Sequence, residues 1–398
     1  MIFKMLLTYS KFKEIAVKTV AVLLTSEPKS GGEHQYLVLL MESLAKCNGK
    51  YFKLLPICDN LFWINWCEEY GISYLRNKTE SYSYERMQAN ARFPLLFKIY
   101  NTRNTLLGRM IKDNKIDLLI AGQQGMFLPQ CRCKVIQPVH DLMHRYEPGF
   151  KEIQSSYRHR EVVFSSRARI ADVILVDSEL GKKQYLESYC GKKNRNLKIE
   201  ILPFVASVTR KKEEYVETPS KYIFYPAQFW EHKNHNNLLK AIKILQEKIP
   251  GIHLILVGSE RNSLRKVRRM IQENSLTSHV SILGFISDEQ IKYLYRHAVA
   301  LVMPTYFGPT NIPPLEAMEL GCPVIVSNKY AMCEQVGEAG LLCEPDSPED
   351  IANCIMQVWG NEEKRKDMIV KGYEQCRKWT RKDFKRLVAK IVLRELME

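Results

Sequence analysis

The chain lacks any apolar run of the roughly 20 residues that a membrane-spanning helix requires. It has no Cys-x-x-Cys, and Cys131-Arg132-Cys133 is the one close cysteine pair, with no His or Cys cluster beside it. A zinc or redox motif is therefore not expected, and no metal site is assigned. The 11 cysteines are odd in number and scattered, which reads as buried reduced thiols in a reducing, cytoplasmic compartment. No Gly-x-Gly-x-x-Gly follows the first strand-like segment, so the usual dinucleotide fingerprint of a nicotinamide enzyme is missing. No Asp-x-Asp occurs, which removes a common acidic pair for a divalent ion. RNP runs, zinc-finger spacings and compact basic arms are absent too, and nucleic acid is not expected as a partner. Met1–Ser10 is short and apolar but no small-residue cleavage site follows, so it reads as an extension before the first strand, frayed or touching a membrane, rather than as a secretory leader.

What is present points to an ordinary folded protein with a basic surface. The 398 residues are too many for one hydrophobic core, and two domains are expected. Hydrophobic residues make up 45% and charged residues 26%, a balance that supports burial rather than disorder. The formal net charge of +15 favours anionic partners, either phosphorylated small molecules or an acidic membrane surface.

Short apolar, β-branched runs alternate with helical patterns. Strands are expected at Val20–Leu24, Ile116–Ala121, Lys134–Pro138, Val173–Val176 and Ile199–Pro203. The polar stretch from Ala206 to Lys221 reads as a linker, after which the pattern restarts. Strands are expected at Tyr222–Tyr225, His253–Val257, Val280–Leu283, Ala300–Met303 and Val324–Ser327, and helices at Asn236–Gln246, Asp288–His297 and Leu315–Leu320. Glu362–Met397 reads as a charged helical segment. The alternation predicts an α/β protein of two doubly wound parallel lobes, residues 1–205 and 222–375, joined by a linker at 206–221 and followed by a final helix at 376–398.

Four loops at the carboxyl ends of these strands carry the residue types of an anion or hydroxyl site, where open α/β sheets hold ligands. The run Tyr306-Phe307-Gly308-Pro309-Thr310-Asn311-Ile312-Pro313-Pro314-Leu315-Glu316 leaves a strand and opens a helix near Pro314. Amides around Gly308–Asn311 and the helix start can hold anions or hydroxyls, and Glu316 can accept from ribose hydroxyls. A proline-stiffened turn with a first-turn glutamate offsetting the helix dipole is the plainer alternative. The run from Tyr225 to Asn237 brings Gln228 and Lys233 to a second strand end, where a lysine can meet a diphosphate. His140-Asp141 follows Lys134–Pro138, and Gly31-Gly32 permits close backbone approach to a phosphate or an acceptor. After the Val280–Leu283 strand, Phe285 and Ile286 are either core residues or contacts for a base.

Taken in order from about Glu27 to about Pro345, these motifs resemble family 4 (group 1) glycosyltransferases of the GT-B superfamily. The resemblance implies two Rossmann-like lobes facing a cleft, with the last helix returning to the first lobe. The family usually carries two glutamates eight positions apart; Glu316 matches the second, while the first falls on Gly308. It also places a diphosphate-binding Arg and Lys in the second loop; Lys233 matches the lysine and Gln228 stands at the arginine. The loop instead is similar to a subgroup reading Phe-Gly-Pro-Thr-Asn, which passes the sugar contacts to Thr310, Asn311 and the loop amides. His140, Lys233 and Glu316 are expected to act on the donor. Gly31, Gly32, Gln228, Phe285, Ile286, Gly308, Pro309, Thr310, Asn311 and Ile312 are expected to bind it.

The resemblance implies a metal-independent hexosyltransferase without a cofactor. It would move a sugar from a UDP- or GDP-sugar, with retention, to a glycan or lipid-linked acceptor in cell-surface polysaccharide synthesis. A catalytically impaired nucleotide-sugar-binding relative is the alternative, because Gly308 and Gln228 replace two usual groups. The segment Arg92–Lys115 is either a basic amphipathic surface on an anionic membrane, which would make the protein peripheral on the inner face, or a core-facing helix with a solvated basic side.

Overall fold

The structure is a computed structural model and describes residues 17–77, 93, 105–126, 132–189, 197–206, 212–308 and 310–398. Aliphatic runs buried on both sides build two parallel sheets, as expected where helices cover both faces. The first contains β1 (Thr19–Leu24), β2 (Lys53–Leu54), β3 (Ile57–Cys58), β4 (Leu75–Arg76), β5 (Leu118–Ala121), β6 (Lys134–Pro138), β7 (Val173–Val176) and β8 (Lys198–Ile201). Its order is β4-β3-β1-β5-β6-β7-β8, with β2 also against β1. The second contains β9 (Ile223–Pro226), β10 (Leu254–Val257), β11 (Val280–Gly284), β12 (Ala300–Met303), β13 (Val324–Ser327) and β14 (Gly340–Cys343), in the order β11-β10-β9-β12-β13-β14. That is the 3-2-1-4-5-6 order of a doubly wound nucleotide-binding sheet, and it puts a crevice where the order reverses, between β9 and β12. In the first lobe the reversal lies between β1 and β5.

Alternation along β1 explains the layers of the first lobe. Val20, Val22 and Leu24 face one cluster with the helix Gly32–Ala45, while Ala21 and Leu23 face a second cluster with Leu107, Ile111, Val163 and Phe164. The described part of the Arg92–Lys115 segment is Phe93, which is exposed, and residues 105–115, which include the helix Leu106–Asp113, whose Leu107 and Ile111 are core residues while Arg109 and Lys112 are exposed. The helix is core-facing with a solvated basic side; residues 92 and 94–104 lie outside the described residues, as does Met1–Ser10.

The charged C-terminal segment forms two helices rather than one. Glu362–Arg377 packs on the second lobe, where a Cβ on Gly372 would stand 3.3 Å from Met318. The chain then turns at Lys378–Thr380. Arg381–Met397 starts in a capping box made by Thr380 and Asp383. Its Phe384, Val388, Ile391 and Val392 lie in one core with Tyr36, Leu37 and Leu40 of the first lobe. Arg381 and Lys385 both pair with Glu42 of that lobe. The helix after β12 opens at Ile312, two residues ahead of the expected start, because prolines at its first turn suit positions whose N–H would be unpaired anyway.

Candidate active site

The loop after β9 is shaped by Asn234, which sits in a left-handed conformation (φ 58°) and is buried. Its amide donates to the carbonyls of Pro304 and Pro345, tying the loop to the end of β12. Tyr225 holds the Lys233 carbonyl at 2.9 Å, and the His232 carbonyl accepts from the Tyr306 N–H and the Thr305 hydroxyl. Lys233 is thereby placed at the β9/β12 crevice, its Nζ 3.3 Å from Oδ1 of Asn311. Burial pushes its ammonium down to about 8, with the Asp141 carboxylate pulling the other way.

Across the crevice, the loop after β6 presents His140. Gln124 accepts from the His140 and Asp141 backbone N–H groups and donates to the Asp141 carboxylate at 2.7 Å. Burial alone would raise Asp141; the Arg160 guanidinium, Gln124 and the Met143 N–H overcome it and hold the carboxyl at about 2. His140 lies edge-on to Tyr36 and tilted against Phe204, and burial lowers its imidazole to about 4 against the pull of Asp141. It is therefore neutral at pH 7, and its buried Nε2 reaches no partner among the described residues.

A cavity of about 350 Å³ between the lobes gathers five of the expected residues, His140, Lys233, Gly308, Thr310 and Asn311, with Asp141 and Arg160 beside them. The other expected groups lie along the seam next to it. A Cβ on Gly31 would stand 3.7 Å from Gln228 and one on Gly32 3.2 Å from Ile312. The Gln228 amide donates to the Lys29 carbonyl and accepts from Trp230. Glu316 is buried and accepts from Tyr295 at 3.1 Å and, across the seam, from Gln35 at 3.4 Å. Phe285 is exposed after β11 and Ile286 packs partly on the second core; neither lines the cavity. Pro309 lies outside the described residues.

Three features differ from the sequence reading. Thr310 turns its hydroxyl to the buried Asp177 carboxylate of the first lobe, whose pKa burial raises to about 7. Asn311 turns its side chain onto Lys233, the Gly308 carbonyl and Met332. The loop also has fewer amide donors than expected, since Pro309, Pro313 and Pro314 have none and the Asn311 N–H is given to Gln335. Its remaining N–H groups are those of Gly308, Thr310 and Ile312.

Sequence reasoning missed Asp177, Arg160, Glu152 and Gln335. Asp177 follows β7 directly, so its strand-end position was a usable signal. Arg160 lies in the first turn of the helix Tyr157–Ile170, and Glu152 and Gln335 lie in short helices with no motif around them. Among the described residues, no three His, Cys, Asp or Glu side chains gather as a metal site would require, and no helix is long and apolar enough to cross a membrane.

Residues 207–375 match the family model for glycosyl transferases group 1. The chain is 23% identical over 297 residues to O-antigen chain mannosyltransferase B of Escherichia coli, covering 73% of this chain and 77% of the relative. It is 28% identical over 200 residues to the alpha-1,3/1,6-mannosyltransferase ALG2 of Mus musculus, 44% of this chain and about half (48%) of the relative. In structure it is similar to a sucrose-phosphate synthase from Thermosynechococcus elongatus, with a TM-score of 0.71 at 18% identity over 96% of this chain and 99% of that one. Anabaena HepE, solved with UDP and glucose, gives 0.69 at 15% identity over 94% and 99%. WaaG, a glycosyltransferase involved in lipopolysaccharide biosynthesis, gives 0.68 at 15% over 94% and 99%. The match over residues 207–375, the mannosyltransferase relatives and the two-lobed GT-B fold together support a glycosyltransferase enzyme.

Proposed function

We propose that this chain is a retaining, metal-independent transferase of the family 4 type. It moves a hexose from a UDP- or GDP-sugar to a glycan or lipid-linked acceptor in cell-surface polysaccharide synthesis. Mannose is the first sugar to test, since the two curated relatives named above are mannosyltransferases. The observation that carries the reading is Lys233, a half-buried cation at the β9/β12 switch point, facing the neutral His140 across one cavity.

The chemistry asks for stabilisation of a departing nucleoside diphosphate and of an oxocarbenium-like sugar. Lys233 is a compact cation for the phosphates, and its burial strengthens that interaction over its value in water. Glu316 takes the ribose hydroxyls by exchanging its Gln35 contact for them. His140 donates or accepts one neutral hydrogen bond at the sugar's primary hydroxyl. The leaving phosphate takes the acceptor hydroxyl's proton on the same face, so no protein base is assigned. We place the protein in the cytoplasm, with its basic surface against the anionic inner leaflet.

A second reading, a nucleotide-sugar-binding relative without turnover, is favoured by Gln228 and Gly308 at the usual Arg and Glu positions. Incubation with GDP-mannose, GDP-glucose, UDP-glucose and UDP-galactose, with and without EDTA, separates the two. Slow release of nucleoside diphosphate that survives EDTA supports transfer. Binding without release supports the second reading, and release that needs added magnesium or manganese removes the metal-independent mechanism.

A further inference from the structure

Asn311 is held at both of its backbone polar groups by one side chain. Its N–H donates to Oε1 of Gln335 at 3.0 Å and its carbonyl accepts from Nε2 of the same amide at 2.7 Å. Asn311 is extended (φ −140°, ψ 147°), so its N–H and C=O point the same way. A glutamine amide offers one acceptor and one donor side by side and meets both as a neighbouring strand would. Gln335 is itself pinned, because Gln375 of the helix Glu362–Arg377 donates to the Gln335 carbonyl at 3.0 Å.

The clamp decides where the Asn311 side chain goes. Its Oδ1 accepts from Lys233, and its amide group fills the space beside Gly308: a Cβ there would stand 2.4 Å from Nδ2 of Asn311 and 2.9 Å from its Oδ1. Gly308 adopts φ +135°, a backbone that side chains rarely tolerate. A side chain at 308 and the clamped Asn311 therefore exclude each other.

We propose that Gln335 is a positioning residue that fixes Asn311 beside Lys233, so that Asn311 selects the donor sugar in place of a carboxylate at position 308. The proposal rests on reading this cleft as a nucleotide-sugar site. Gln335 touches no substrate in this scheme and acts through Asn311.

Gln335→Met keeps the length and bulk of the side chain and removes both bonds. With two hydrogen bonds lost, turnover of the better epimer and its advantage over the poorer one (GDP-mannose against GDP-glucose, UDP-glucose against UDP-galactose) should each fall about ten-fold. The Kd for bare GDP or UDP should move less than about three-fold, because the phosphate contact of Lys233 remains. A residue that merely supported the fold would lower the thermal midpoint and leave the epimer ratio alone. Amide exchange of residues 306–315 in the unliganded protein reads the clamp without any substrate, and it should speed about ten-fold in the variant. Unchanged exchange overturns the clamp. Faster exchange with an unchanged epimer ratio overturns the selective role. If the wild-type protein releases no nucleoside diphosphate from any of the four donors, the selective role falls with the transfer reading, and exchange alone then decides the clamp.

Discussion

At the scale of single residues, Lys233 carries the clearest consequence. Its ammonium titrates near pH 8 in the unliganded site because burial disfavours the charge. A bound diphosphate demands the charged form, so binding above that pH must take up a proton. The Kd for GDP or UDP is therefore expected to be flat below pH 7 and to rise toward about ten-fold per pH unit above 8. Isothermal titration from pH 6.5 to 9.5 checks this, and Lys233→Ala should bind more weakly with no slope in that range. Gly308→Glu addresses the missing family carboxylate. Its Cβ would collide with Asn311 and its φ of +135° is strained for a side chain, a cost of about 1–3 kcal/mol. The variant should lose turnover and melt earlier; a gain in activity would show that the loop accepts the carboxylate and that Gly308 marks a degraded site. Lys233 was legible in the sequence because it follows a strand and precedes a helix. The partners of Thr310 and Asn311 were not, because Asp177 is 133 positions from Thr310 and Gln335 is 24 from Asn311.

At the scale of elements, the last helix binds the C-terminal segment to the first lobe through one apolar stripe. Phe384 is fully buried there, edge-on to Tyr36. Phe384→Ala should cost about 3–5 kcal/mol, read as a lower urea midpoint with the first lobe's signal affected most. Loss below 1 kcal/mol would mean that the helix is not part of that core. The bounds of β6, β7, β12 and β13 coincide with the sequence reading, since each is a compact aliphatic run ended by a turn. The two-residue strands β2, β3 and β4 are too short to show a period, and β14 begins with Gly340. The break at Lys378–Thr380 had a signal in Thr380-x-x-Asp383, which the charge pattern obscured.

At the scale of the whole molecule, the lobes are bridged beside the cavity by Glu152. This first-lobe carboxylate accepts from the His232 backbone at 3.2 Å, from His232 Nδ1 at 2.9 Å and from Asn262 at 2.7 Å. Burial would raise its pKa, but the His232 and Asn262 hydrogen bonds overcome this and hold it at about 2. Tyr330 adds a second bridge to Glu147 at 2.7 Å. Glu152→Ala should loosen closure and free the turn that carries Lys233. A larger radius of gyration by small-angle scattering and about ten-fold weaker GDP or UDP binding are expected, given the worth of charge-assisted bonds. An unchanged radius and affinity would make the bridge incidental.

The chain by itself determined two doubly wound lobes and the loops that face the cleft, because strand runs, helix periods and turn residues act over a few positions. Which of those loop groups share a cavity was decided only by the tertiary structure. Docking one sheet's carboxyl edge against the other's brought His140 to Lys233, Asp177 to Thr310 and Gln35 to Glu316. It placed Phe285 outside the cavity. These contacts join residues far apart along the chain, whose meeting depends on sheet order, lobe closure and the desolvation that follows, and local pattern carries none of the three.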